Sequence, residues 1–155
     1  MATVKNQKYA IITSQAEVVT VKKMGVDEKN IFPFQSYKGL IPRMSAGDIL
    51  CVASIRCIAI GACDFWNIIC ELRKRGIEFR SANEKYLDFS TLKPLPVVIL
   101  DGIKMVVNHE NDFIRFVQNS GLNIASKNTL NQRIRDEFLT VLCIMFNNDG
   151  IRKRG

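Results

Sequence analysis

The sequence predicts an α/β protein: a three-layer α/β/α arrangement with a mostly parallel central sheet, an added β-hairpin and a long C-terminal helix. Three observations carry this expectation. Residues 47–90 place an apolar run (49–55), a helical stretch (about 59–75) and the extended Ile77-Glu78-Phe79-Arg80-Ser81 in unbroken order, the pattern of a parallel βαβ unit. Asp101-Gly102 sits between the apolar runs 97–100 and 103–107, a strong short-range hairpin signal. Residues 130–147 then form the longest helical pattern in the chain.

The elements follow in order. Lys8-Tyr9-Ala10-Ile11-Ile12-Thr13 is a short β-rich run ending in polar residues, suited to a first strand whose carboxyl end opens into a loop. Residues 15–24 offer Ala16, Val19 and Met24 to one side of a short helix, and Gly25 stops it. Asn30-Ile31-Phe32-Pro33-Phe34 is a second short strand, ended by its proline. Between Gln35 and Gly47 the chain is punctuated by Ser36, Gly39, Pro42 and Ser45 and reads as a mobile loop.

In the βαβ unit the helix sets Phe65, Ile68, Ile69 and Leu72 on one apolar stripe and Asp64, Asn67, Glu71 and Lys74 on another face. Residues 91–96 are a linker by composition. After the hairpin, residues 109–119 suit a short helix carrying Phe113, Ile114, Phe116 and Val117. The last helix aligns Leu130, Ile134, Phe138, Val141 and Met145 at spacings of three and four, and Arg152, Lys153 and Arg154 form a basic tail.

At 155 residues and 47% hydrophobic, the chain is long enough for one core and too short to demand two, so residues 1–155 are expected to form a single domain. A formal charge of +7 permits an anionic partner such as nucleic acid or an acidic membrane surface. Cys51, Cys57, Cys63, Cys70 and Cys143 include no closely spaced pair and mostly fall in apolar segments, as core thiols do. His109 is the only histidine, so a zinc site is not expected, and no cofactor is implied. The polar amino terminus and the absence of a long apolar run predict a cytoplasmic protein with no membrane partner.

Tyr9 to Ser14, Gly25 to Phe32 and Gly47 to Ser90 together resemble the N-terminal catalytic domain of serine recombinases, the resolvase and invertase family. The first segment corresponds to the family's Tyr-x-Arg-x-Ser start, the second to its glycine turn into the second strand, and the third to its Gly-Asp strand, long helix and following strand. The likeness covers residues 8–90. Residues 94–155 are a divergent hairpin and helical extension. The resemblance implies site-specific DNA recombination, in which a strand-end serine attacks a phosphodiester and stays joined to the 5′ phosphate.

Such a transition state needs several guanidinium groups around the phosphate. Position by position, this sequence departs from that pattern. Tyr9 matches the leading tyrosine, Ile11 stands where the first arginine belongs, and Thr13 falls on the nucleophilic serine with Ser14 directly after it. The Asp-Arg-Leu-x-Arg signature is replaced by Arg56-Cys57-Ile58-Ala59-Ile60. Arg43 stands nearest to the family's loop arginine. Losing one preorganised donor typically costs about 100- to 1,000-fold in rate, and at least three are missing, so the expectation is a domain without catalysis.

Thr13, Ser14, Arg43 and Arg56 are therefore the candidate catalytic positions, and Arg152, Lys153 and Arg154 the candidate DNA contacts. Duplex DNA, a second copy or an active recombinase are the partners implied. A different class of reading is a non-enzymatic interaction module that oligomerises through Leu130, Ile134, Phe138, Val141 and Met145. An unrelated small α/β protein remains a third.

Overall fold

The computed structural model describes residues 6–34, 37–87, 89 and 97–147. Four strands, β1 (Lys8–Ile12), β2 (Ile31–Pro33), β3 (Ile49–Val52) and β4 (Glu78–Ser81), form an all-parallel sheet in the order β2-β1-β3-β4. The helices are α1 (Glu17–Lys23), α2 (Tyr37–Leu40), α3 (Ala62–Lys74), α4 (Val97–Gln118) and α5 (Ile124–Phe146).

Strand residues alternate between two apolar layers, as the pleat requires. Ala10, Ile12 and Cys51 face one side, where Val21 of α1 and Val26 close a small core. Ile11, Leu50, Val52 and Phe79 face the other, where α3, α4 and α5 contribute Phe65, Ile69, Leu72, Ile103, Val106, Leu139 and Leu142 to the main core. The result is three-layer α/β/α, as the sequence predicts. The connection from β1 to β2 moves one way across the sheet, while those into β3 and β4 move the other way. Right-handed crossovers therefore put α1 on one face and α2 and α3 on the opposite one.

The βαβ unit is the part that the sequence describes best. Phe65, Ile68, Ile69 and Leu72 are all buried, so the periodic stripe is the buried face. Helix α3 ends in a Schellman turn: Gly76 takes φ of 73° and its N–H donates to Arg73, while the Ile77 N–H reaches back to the Leu72 carbonyl at 2.9 Å. A glycine is needed there because other side chains resist that left-handed backbone.

Two expectations are overturned. Residues 97–107 form no hairpin; they open the 22-residue helix α4, which absorbs the short helix expected at 109–119. The competing signal was helical spacing, since Ile103, Val106, Glu110 and Val117 fall on one buried face. Gly102 lies inside the helix on the side facing α5, with room there for a methyl group in ordinary contact. A Cβ at that position would meet Met145 Cε at 3.4 Å and Phe146 Cζ at 3.7 Å. A turn dipeptide loses its local preference when the flanking apolar residues can be buried only by a helix.

The segment 35–47, read as a loop, contains α2 and a 3-10 turn at Ile41–Arg43. Leu40, Ile41 and Met44 are buried in the main core, which ties this crossover down. Helix α5 begins at Ile124, six residues before its periodic apolar pattern. Asn123 caps it by accepting the Ser126 N–H at 2.8 Å. The basic tail Arg152, Lys153 and Arg154 lies outside the described residues. Among those described, no helix is long and apolar enough to cross a membrane, and no group of His, Cys, Asp and Glu is placed to hold a metal ion.

Candidate functional site

An open parallel sheet offers a binding crevice where its connections diverge to opposite faces, at the carboxyl ends of the strands. Here that point lies between β1 and β3, and the residues after those strands are Thr13-Ser14 and Ser54 to Cys57. The sequence-predicted nucleophile position therefore stands at the mouth that the topology itself selects.

What surrounds it is a carboxylate. Glu17, in the first turn of α1, accepts from the Thr13 backbone N–H at 3.0 Å, from the Thr13 hydroxyl at 2.7 Å and from the Ser14 hydroxyl at 3.0 Å. The Cys57 thiol, arriving from the β3 side, donates to the same carboxylate at 2.8 Å. Burial pushes the Glu17 pKa up, but the hydrogen bonds from Cys57, Thr13 and Ser14 outweigh it and hold the group below the ordinary glutamate value. Burial, reinforced by the bond to Glu17, pushes the Cys57 thiol up to about 12, so it stays protonated and is no nucleophile at neutral pH.

The candidate arginines do not join this cluster. Arg56 turns to α5, where it pairs with Asp136 at 2.9 Å and donates to the Thr140 hydroxyl. Arg43 is two residues before Ser45, whose N–H is bound by Asp48 at the amino end of β3, so it belongs toward the opposite end of the sheet from Thr13. Among the described residues, no arginine or lysine bonds to Thr13, Ser14 or Glu17. A cleft of about 410 Å³ beside the two hydroxyls is lined by Ile12, Thr13, Ser14, Gln15, Pro33 and Phe34, with no charged side chain.

The loop after β3 is fixed by a second carboxylate that the sequence did not single out. Glu84, 2% exposed, accepts the Ile55 N–H at 2.7 Å, the Ser81 hydroxyl at 2.9 Å and the Ser54 hydroxyl at 3.2 Å. A third, Glu110 of α4, accepts the Ala62 and Cys63 N–H groups at 2.7 and 3.1 Å and so caps α3 across 48 residues of chain. It replaces the local cap that Gly61 cannot supply. Glu17 alone was readable in advance, since Ser14-Gln15-Ala16-Glu17 has the spacing of a serine that meets a glutamate three residues on.

The stripe proposed for self-association divides. Phe138 packs on Phe113 at 5.6 Å between ring centroids and, with Met145, joins the main core. Leu130 and Ile134 are half-buried, and Val141 is exposed. Two of its five residues are therefore spent inside the chain. No protein-family model matches this chain, and no curated protein matches it significantly.

Proposed function

We propose that the chain is a serine-recombinase-like domain without catalysis, serving a DNA-recombination system through contacts. The observation that carries the second half is the Glu17 carboxylate, which holds both candidate hydroxyls where a recombinase needs guanidinium groups. A phosphate about 4 Å from that carboxylate meets a repulsion of about 1 kcal/mol in water-like surroundings and about 4 kcal/mol in protein-like ones. The group that should stabilise the transition state here opposes it. Support for the first half is the wording of residues 47–90 together with a parallel sheet that puts Thr13 at the switch point.

The alternative, an interaction module built on α5, draws less support, because Phe138 and Met145 of its stripe already pack on the chain's own core. The test is a supercoiled plasmid incubated with the protein and assayed for relaxation and a covalent protein–DNA adduct. None is expected, and an adduct that disappears in Thr13→Ala or Ser14→Ala would refute the absence of catalysis. Contact with DNA is checked separately: duplex binding should be measurable at about 50 mM salt and weaken steeply as salt rises. Absence of binding there removes the DNA-contact reading.

A further inference from the structure

The face of β4 turned toward α1 carries a second cleft, remote from the Thr13 mouth. Among the described residues, helix α1 packs over β1 and β3 and not over β4, beside which lies a trough of about 730 Å³ lined by Thr20, Lys23 and Met24 on one wall and Arg80, Ser81, Ala82 and Lys85 on the other. Its volume falls in the range of small-molecule sites.

Charge is what distinguishes it from the Thr13 cleft. Three cationic side chains line the trough, and the carboxylate on this face of β4, Glu78, pairs with Arg80 at 3.5 Å. Neither Lys23 nor Lys85 has an ion-pair partner among the described residues. Glu84 does not neutralise them from within, since its oxygens are bound to Ser54, Ser81 and the Ile55 N–H on the side of β4 shared with Phe79. Among the described residues, Lys23 and Lys85 stand beyond the Glu78–Arg80 pair, and two such positive charges along low-dielectric walls concentrate field on an anion.

The cations are also strung out along the strand. Helix α1 runs opposite to the strands, so Lys23 sits toward the amino end of the sheet, Lys85 follows the carboxyl end of β4, and Arg80 lies between them. A single small anion would satisfy one of the two lysines toward opposite ends of the trough, whereas two phosphates in an extended chain can meet both. Met24 and Ala82 add apolar surface for a sugar or base. We infer that this trough binds a phosphodiester of dinucleotide size, and that a duplex is too wide to enter it.

The experiment titrates a 5′-phosphorylated thymidine dinucleotide into isotopically labelled protein and follows amide shifts, with inorganic phosphate and a short duplex as separate arms. Saturable shifts are expected at Thr20, Lys23, Ser81, Ala82 and Lys85. The double variant Lys23→Glu/Lys85→Glu, whose side chains are both exposed, should keep the wild-type circular dichroism and lose roughly tenfold or more in affinity. Binding by the dinucleotide should also fall with salt at a slope near 1.4, as expected for two single-strand phosphates. The inference is overturned if these amides do not shift or if the double variant binds like wild type. It is equally overturned if inorganic phosphate or the duplex occupies the same amides as tightly as the dinucleotide.

Discussion

Removing Glu110 should cost this protein a large part of its stability. The carboxylate is 1% exposed and accepts two backbone N–H groups, those of Ala62 and Cys63, at the open end of α3. Hydrogen bonds to a charged group contribute about 1.5–3 kcal/mol each, and donors left buried without a partner lose their hydration as well. Glu110→Ala deletes both bonds and the favourable charge at a helix amino terminus, so the loss should be about 3–5 kcal/mol. Against a typical total of about 5–15 kcal/mol, that is at least about a fifth. Glu110→Gln keeps one acceptor oxygen and turns an NH₂ toward the second donor, so it should fall between wild type and alanine. Thermal unfolding followed by far-ultraviolet circular dichroism reads the difference, with an expected drop in Tm of roughly 6–20 °C for a chain of this size. A loss below about 1 kcal/mol for Glu110→Ala would mean that water replaces the carboxylate, and the assignment of Glu110 as the cap of α3 would be wrong.

Two further outcomes follow from the Thr13 cluster. Glu17 is held below its ordinary pKa, so its stabilising contribution is fully present above about pH 4.5 and is lost as pH falls through the folded-state value. The stability difference between wild type and Glu17→Gln should therefore be flat near neutrality and shrink in acid; a difference independent of pH down to unfolding would contradict it. Cys57, raised to about 12, stabilises the fold below about pH 9 and loses that contribution between about 9 and 12. At pH 8 iodoacetamide should modify the exposed Cys70 first and leave Cys57 intact until the protein unfolds, as peptide mass analysis would show.

The parts of the fold that were legible are those whose partners lie close in sequence. Phe65, Ile68, Ile69 and Leu72 announce their buried face by spacing alone, and Gly76 announces the stop of α3. The region 97–107 misled because Asp101-Gly102 is a local turn signal, while Ile103, Val106 and Val107 are buried as one helix face in a core shared with the distant Leu139 and Leu142. The site divides in the same way. The place of Thr13 and Ser14 at the end of β1 was readable because strand and polar end are contiguous. Glu84 and Glu110 were not, because a carboxylate that binds N–H groups 29 and 48 positions distant has no local pattern. Arg56 is the converse: its place after β3 is read from the chain, while its bonds to Asp136 and Thr140 span 80 and 84 positions.

Gly61 sets a limit on how this sequence can drift. Its φ of −169° is open to every residue, so the backbone imposes no demand for glycine. Its neighbours do: a Cβ would stand 2.9 Å from Cβ of Arg135 and 3.0 Å from the Glu110 carboxylate, where α4 and α5 close on the start of α3. Mutational freedom at this position is thus owned by two other helices. Substitutions should become acceptable only in chains where α5 has already shifted at residue 135 or lost its Cβ there, a dependence in time that a single-site scan would record as intolerance.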